Sequence, residues 1–288
     1  MPSMVKRILS YLTLAVMASA FMTSGSYAEI IEIKSADNKL IQAEFFQGEP
    51  EKKAILLLHG FLQTNQFHTV KRLAEALNDA GYNVLTPTLS LGLDKRVQSL
   101  PCEAIHAHSF DKDSAEIKLW VDWLTDKTGK NITLIGHSAG SLTLLDYMKK
   151  TNAEKVDLGI LISMAYLSDT ENDPLAKQSE TKAKKAIASG NSEISNYHLG
   201  FCKTYPSTAA DFMSYHQWNQ AKLVELTSQF ADRVNVIIGT KDERLKLVWR
   251  NRLEQEEIPV TYIEGANHFF DQAHEWDLSE AVEDLLSE

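Results

Sequence analysis

The stretch Asn131-Ile132-Thr133-Leu134-Ile135-Gly136-His137-Ser138-Ala139-Gly140-Ser141-Leu142 decides how this chain is read. Ile132–Gly136 is an apolar run of strand length, and Ser141 to Lys150 carries apolar residues at helical spacing. Gly-x-Ser-x-Gly lies between them with no spacer. A strand that turns directly into a helix forces the middle residue into strained backbone angles, and glycines on either side relieve the clashes. The Ser138 hydroxyl then projects from the carboxyl edge of a sheet at a helix N-terminus. The five-residue pattern alone arises often by chance. Between an apolar strand and an amphipathic helix it is specific, and the competing reading is a mere capping serine.

Outward from this turn, short apolar runs alternate with helical patterns, the signature of parallel strands joined by helical crossovers. Strands are expected near 30–34, 40–46, 54–59, 83–86, 132–136, 158–163, 234–239 and 260–264. The first two alternate in polarity around Ser-Ala-Asp-Asn-Lys and read as an antiparallel edge hairpin. Ile55-Leu56-Leu57-Leu58 and Ile160-Leu161-Ile162 are continuously apolar and fit strands covered on both faces. Helices are expected over 69–80, 114–127, 141–150, 244–256 and 276–286, with Gly81 ending the first. The fold class is therefore α/β: a mostly parallel eight-stranded sheet with helices on both faces. Two segments break the alternation. Residues 88–112 form a long loop holding Arg96, Cys102, Glu103, His106, His108 and Phe110. Residues 165–232 form an insertion with at least two helical patterns, too aromatic for disorder, read as a cap over the sheet.

A serine hydroxyl is a weak nucleophile at neutral pH, so a base must take its proton and a carboxylate should orient that base. Among nine histidines, His268 is best placed, in a loop just after the last strand. Asp242 follows the strand at 234–239 through Thr240-Lys241, at the same sheet edge. Asp242 could instead cap a helix starting near Arg244, and His268 could be an ordinary surface residue. Asp169, near the end of the sixth strand, is the alternative acid. His106 and His108, with Glu103 and Asp111 nearby, have a metal-ligand look, but the set is incomplete and serine chemistry needs no metal. Packing is the favoured reading of that pair. Asn131-Ile132-Thr133 matches a glycosylation acceptor at the opening of a central strand, where a glycan would be excluded.

Lys6 and Arg7, the apolar run from Ile8 to Phe21 and the small residues of Ser26-Tyr27-Ala28 read as an export signal cleaved after Ala28. The run is shorter than the roughly 20 residues a spanning helix needs, so no stable membrane span is expected after cleavage. The mature unit would be 29–288, exported to a periplasm or secreted. In an oxidising compartment Cys102 and Cys202, the only cysteines, can pair; two buried free thiols are the alternative.

Composition bounds the rest. The 288 residues are 44% hydrophobic and 24% charged, an ordinary globular mixture, which excludes a disordered or multi-span chain. With 29 Lys+Arg against 39 Asp+Glu the formal charge is -10, which repels phosphate backbones and argues against nucleic acid as a partner. Loss of Lys6 and Arg7 with the signal leaves 27 basic against 39 acidic groups, or -12. Neutral or cationic ligands are weakly favoured by this balance.

His59-Gly60-Phe61 after the third strand, the Gly136–Gly140 turn, Asp242 and His268 together resemble the α/β-hydrolase fold family over nearly all of the chain past the signal. The resemblance implies a catalytic set of Ser138, Asp242 and His268, an oxyanion hole made by the backbone N–H groups of Phe61 and Ala139, and no cofactor. The single glycine after His59 departs from the Gly-Gly-Gly form of some lipases and esterases, so bulky tertiary-alcohol esters are less expected. The implied activity is a serine hydrolase acting on a small or medium apolar ester. Amide or thioester cleavage is the alternative within catalysis, and a non-catalytic binding protein the alternative outside it. The first strand-to-helix turn lacks the glycines that admit a dinucleotide pyrophosphate.

Overall fold

A computed structural model provides the architecture, and it describes residues 28–245, 247–271 and 273–287. The expected export signal therefore lies outside the described residues, apart from Ala28. Along the chain run β1 (Glu29–Lys34), β2 (Leu40–Phe46), β3 (Ala54–Leu58), α1 (His68–Asp79), β4 (Asn83–Thr88), α2 (Phe110–Thr128), β5 (Ile132–His137), α3 (Gly140–Thr151) and β6 (Val156–Ile162). An excursion follows, with α4 (Pro174–Ala188), β7 (Ser195–Leu199), β8 (Cys202–Ser207), α5 (Ala209–His216) and α6 (Gln220–Gln229). The chain then returns through β9 (Val234–Gly239), α7 (Leu247–Gln255), β10 (Val260–Ile263) and α8 (His274–Ser287).

The main sheet has eight strands in the order β1-β2-β4-β3-β5-β6-β9-β10. β1 pairs antiparallel with β2 and β2 with β4; every later neighbour is parallel. Strand side chains alternate between two apolar layers. Leu56, Leu58 and Leu134 face the layer built with Ile117, Trp120 and Val121 of α2 and Leu142 and Leu145 of α3. Ile55, Leu57 and Ile135 face the layer built with Val70, Leu73 and Leu77 of α1 and Leu278 and Val282 of α8. Helices thus cover both faces, which is why β3 is buried from end to end. Gly81 follows α1 at φ 92°, a left-handed conformation that ends the helix cheaply only at glycine.

Several expectations need correction. α2 starts at Phe110, so the long loop ends at Ser109 and Asp111 is helical. Arg96, His106 and His108 are all buried. The Arg96 guanidinium donates to the carbonyls of Leu89, Gln98 and Gln63 at 2.6, 2.8 and 2.7 Å, tying the loop to the turn after β3. α7 begins at Leu247 rather than at 244, because Arg244 lies in a turn whose N–H is taken by Asp242. Asn131 precedes β5 and is exposed, its amide donating to Asp157 at 2.9 Å, so a central strand does not exclude it. Thr133 beside it is buried.

The excursion contains a feature absent from the sequence reading, the two-stranded antiparallel β7–β8 hairpin. Leu199 pairs with Cys202 across a two-residue turn, Gly200-Phe201, with Gly200 at φ 57°. Cys202 is disulfide-bonded to Cys102, with Cα atoms 5.3 Å apart. Next to this bond His106 N–H donates to Pro206 O and Ser207 Oγ donates to His106 O, at 2.8 and 2.9 Å. Loop and excursion are thus joined covalently and through the backbone.

Candidate active site

β5 ends at His137, and Ser138 follows at φ 54°, a left-handed backbone that a non-glycine residue holds only under constraint from its surroundings. The constraint is visible on both sides. A Cβ on Gly136 would lie 2.6 Å from the Ser141 nitrogen, and one on Gly140 would lie 2.5 Å from the His59 carbonyl oxygen. Only glycine admits this approach, which packs the start of α3 against the turn after β3. Ser138 N–H donates to Ile162 O at 2.8 Å and anchors the turn on β6.

Three loops at the carboxyl edge of the sheet then converge. Ser138 Oγ donates to His268 Nε2 at 3.0 Å, and His268 Nδ1 donates to Asp242 Oδ2 at 2.8 Å. Ser163, just past β6, donates to the same Oδ2 at 2.8 Å, while Arg244 N–H donates to Oδ1 at 3.0 Å. Asp242 therefore both caps its own turn and faces His268. Burial works to raise its carboxyl pKa, but the hydrogen bond and charge of His268, with the hydrogen bonds from Ser163 and the Arg244 N–H, together outweigh that and hold it below the ordinary aspartate value. Arg250 fixes the turn from behind, donating to Thr240 O and Asp242 O at 2.9 and 2.7 Å. Asp169, the alternative acid, instead accepts from the N–H and amide of Asn172 and does not reach His268.

The flanking histidines are supports. His137 Nε2 donates to His268 O at 2.9 Å, and burial drives its pKa down to about 3. His59 donates through Nδ1 to Gly60 O at 2.8 Å and accepts Leu89 N–H at Nε2; burial and the nearby Arg96 charge also bring it to about 3. Both are neutral at physiological pH. The N–H groups of Phe61 and Ala139 have no hydrogen-bond partner among the described residues, and both residues border the cavity in front of Ser138.

That cavity has a volume of about 390 Å³ and opens to solvent. Its floor is Ser138, His268 and Phe61, and its roof comes from the excursion, with Leu167, His198 and Phe201 among the contributors. Phe61 and Phe201 meet edge to face at 5.9 Å. His198 pairs with Asp173 at 2.8 Å. Phe201, His198, Arg244 and Ser163 are the contributors that sequence reasoning missed. A Gly-Phe pair between Ser195–Leu199 and Cys202–Ser207 is a two-residue hairpin signal and could have exposed the first.

His106 and His108 bind side chains and backbone here. The His106 ring stacks on Tyr205 at 4.0 Å and Nε2 donates to Cys102 O. His108 Nδ1 meets the Tyr215 hydroxyl at 2.5 Å, and that hydroxyl donates to the buried Asp113. No group of three His, Cys, Asp or Glu side chains among the described residues is arranged to hold a metal ion.

A family model described as "Protein of unknown function (DUF1749)" matches residues 22–229. The chain belongs to the DUF1749 family. No curated protein matches its sequence. Solved structures show the fold of this DUF1749 member to be that of the α/β hydrolases. Est1E from Butyrivibrio proteoclasticus aligns over 90% of this chain and 97% of its own, with TM-score 0.62 and 15% identity. The α/β hydrolase GrgF from Penicillium sp. sh18 aligns over 90% and 98%, with TM-score 0.68 and 12% identity. A thioesterase domain from the curacin biosynthetic pathway aligns over 91% and 100%, with TM-score 0.59 and 14% identity. No helix among the described residues is long and apolar enough to cross a membrane.

Proposed function

We propose that this protein is an exported serine hydrolase that cleaves carboxylic esters through an acyl-enzyme on Ser138. The observation that carries the reading is the continuous relay Ser138–His268–Asp242, at 3.0 and 2.8 Å, opening into a cavity beside two unpaired backbone N–H groups. In the first half-reaction Ser138 Oγ attacks the ester carbonyl while His268 Nε2 takes its proton. The carbonyl oxygen gains the negative charge and is met by the N–H groups of Phe61 and Ala139; one such donor is worth roughly 100- to 1,000-fold in rate. The intermediate collapses as His268 returns the proton to the leaving alcohol. Water, deprotonated by His268, then attacks the acyl-enzyme and releases the acid and Ser138. Asp242 holds the tautomer that keeps Nε2 free to accept.

A small or medium ester is the natural occupant, since about 390 Å³ lies in the range of small-molecule sites and the walls are largely apolar. The Cys102–Cys202 disulfide and the sequence of residues 1–28 support export to a periplasm or the exterior. The test is an ester panel of increasing acyl length, run beside amide and acyl-thioester substrates on protein lacking residues 1–28, with a phosphonate probe and peptide mapping. Labelling of Ser138 and turnover of short or medium esters are expected. Labelling elsewhere, or no labelling, overturns the assignment, and a preference for amides or thioesters replaces the substrate class.

A further inference from the structure

Arg244 is a charged group of the cavity wall that the relay does not use and that the fold leaves without a counter-charge among the described residues. Its guanidinium carbon lies 4.7 Å from the Phe269 ring centroid and 5.6 Å from that of Phe201. Phe269 follows His268 in the chain and Phe201 packs on Phe61, so the cation lies between the ring next to the base and the ring that packs against the Phe61 turn. Only the backbone N–H of Arg244 is bonded to a described residue; the guanidinium makes no hydrogen bond or ion pair with any of them. The two carboxylates that share the cavity are engaged elsewhere. Asp173 accepts from the N–H groups of Leu175 and Ala176 and pairs with His198, and Asp169 accepts from Asn172.

Aromatic rings attract a guanidinium through its charge and cover its faces, which leaves its in-plane N–H donors to meet a ligand. A planar fork with free donors at the mouth of an acyl-transfer site matches a carboxylate, which it can hold through two parallel hydrogen bonds. The overall negative charge of the chain does not forbid this. At physiological ionic strength charges are screened over roughly 8 Å, so a group bound in the cavity responds to Arg244 more than to distant acids.

We propose that Arg244 is a specificity-determining residue that selects esters carrying a carboxylate away from the scissile bond. This rests on the hydrolase reading above and names the substrate class of the same site. The experiment compares two matched pairs on protein lacking residues 1–28: para-acetoxybenzoate with phenyl acetate, and the para-nitrophenyl monoester of adipic acid with para-nitrophenyl hexanoate. The first anionic probe carries its charge on the alcohol, the second on the acyl chain. Each pair yields a ratio of kcat/KM, anionic over neutral. Arg244→Gln is expected to lower at least one ratio by about tenfold, chiefly through KM, the size expected for a charge-assisted hydrogen bond in a partly wet site. Damage to the fold alone would slow both members of a pair and leave the ratio where it was. Both ratios unchanged in Arg244→Gln, with wild type active, overturns this inference and leaves the hydrolase reading standing. Wild type that turns over none of the four esters overturns both.

Discussion

Ser163 Oγ and His268 Nδ1 both donate to one oxygen of Asp242, Oδ2, each at 2.8 Å. The carboxylate is thereby held by residues that follow β6 and β10, and its orientation does not depend on His268 alone. Ser163→Ala should leave Asp242 ionised but freer to rotate. We expect kcat to fall by about tenfold, the scale of one hydrogen bond to a charged group, with KM little changed. Steady-state kinetics on a neutral ester decides it; an unchanged kcat means that the β9 turn alone orients Asp242.

Ser138→Ala should abolish turnover with the fold retained, since alanine fits the turn. Asp242→Asn and His268→Ala should each lower kcat by several powers of ten, and the double variant should be little worse than the poorer single one, because the relay acts as a unit. Asp169→Asn should be mild by comparison. If Asp169→Asn proved the more damaging of the two aspartate variants, the acid would have been assigned to the wrong strand.

Gly140→Ala tests the close approach of α3 to the turn after β3. Its Cβ would have to displace the His59 carbonyl oxygen from 2.5 Å, and that atom is backbone. Overpacking of this kind costs about 1–3 kcal/mol. It would also shift Phe61 relative to Ala139, so activity should drop beyond what lost stability explains. Urea unfolding and kcat measured together report on both; native-like values of each would show that the approach is not required.

Oxidised protein should show no titratable thiol under denaturing conditions, since both cysteines are in the Cys102–Cys202 bond. The bond closes a loop with a sequence separation of 100, for which chain entropy gives up to about 4–5 kcal/mol. The Cys102→Ser, Cys202→Ser double variant should unfold at correspondingly lower urea. Phe201, which precedes Cys202 and lines the cavity, should move with it, so KM should rise in the variant even below its melting range.

Acidification should destabilise the fold. His59, His108 and His137 have pKa values brought down to about 3 by burial, whereas the unfolded chain takes up those protons near pH 6.5. Between these limits the unfolded state binds more protons, so stability falls as pH falls from about 6.5 toward 3. Burial of Asp113 and Glu116 raises their carboxyl pKa values and opposes this, because the native state keeps those protons at higher pH. Below about pH 5.5 the unfolded chain holds nearly all three histidine protons while the two carboxyls can offset at most two, so the unfolded state still binds more protons there and stability falls with pH. Urea midpoints that stay level or rise between about pH 5.5 and pH 4.5 would contradict it.

Much of the scaffold was legible because burial writes a local pattern. Ile55–Leu58 and Ile160–Ile162 read as doubly covered strands because every side chain on them is apolar, and β3 is indeed buried throughout. The Ser138 turn was legible for a steric reason: Gly136 and Gly140 mark backbone that other atoms approach within 2.6 Å of a missing Cβ. The β7–β8 hairpin was missed because its strands alternate irregularly, so the Gly200-Phe201 turn signal stood between two runs without a clear strand pattern.

What the sequence by itself determined is the set of conformational necessities: which residues must be glycine, which runs must be covered, and which hydroxyl must stand at a strand-to-helix turn. Choice among partners was decided only in three dimensions. Asp242 and Asp169 both follow strands at the same sheet edge, and it is the β9 turn, held by Arg250 and shared with Ser163, that brings Asp242 within 2.8 Å of His268. Likewise the burial of Arg96, the stacking of His106 on Tyr205 and the setting of Arg244 between Phe201 and Phe269 join residues far apart in the chain. A side chain's periodicity reports whether it is covered. What covers it depends on where distant loops meet, and that is fixed by the packing of the whole sheet and its excursion.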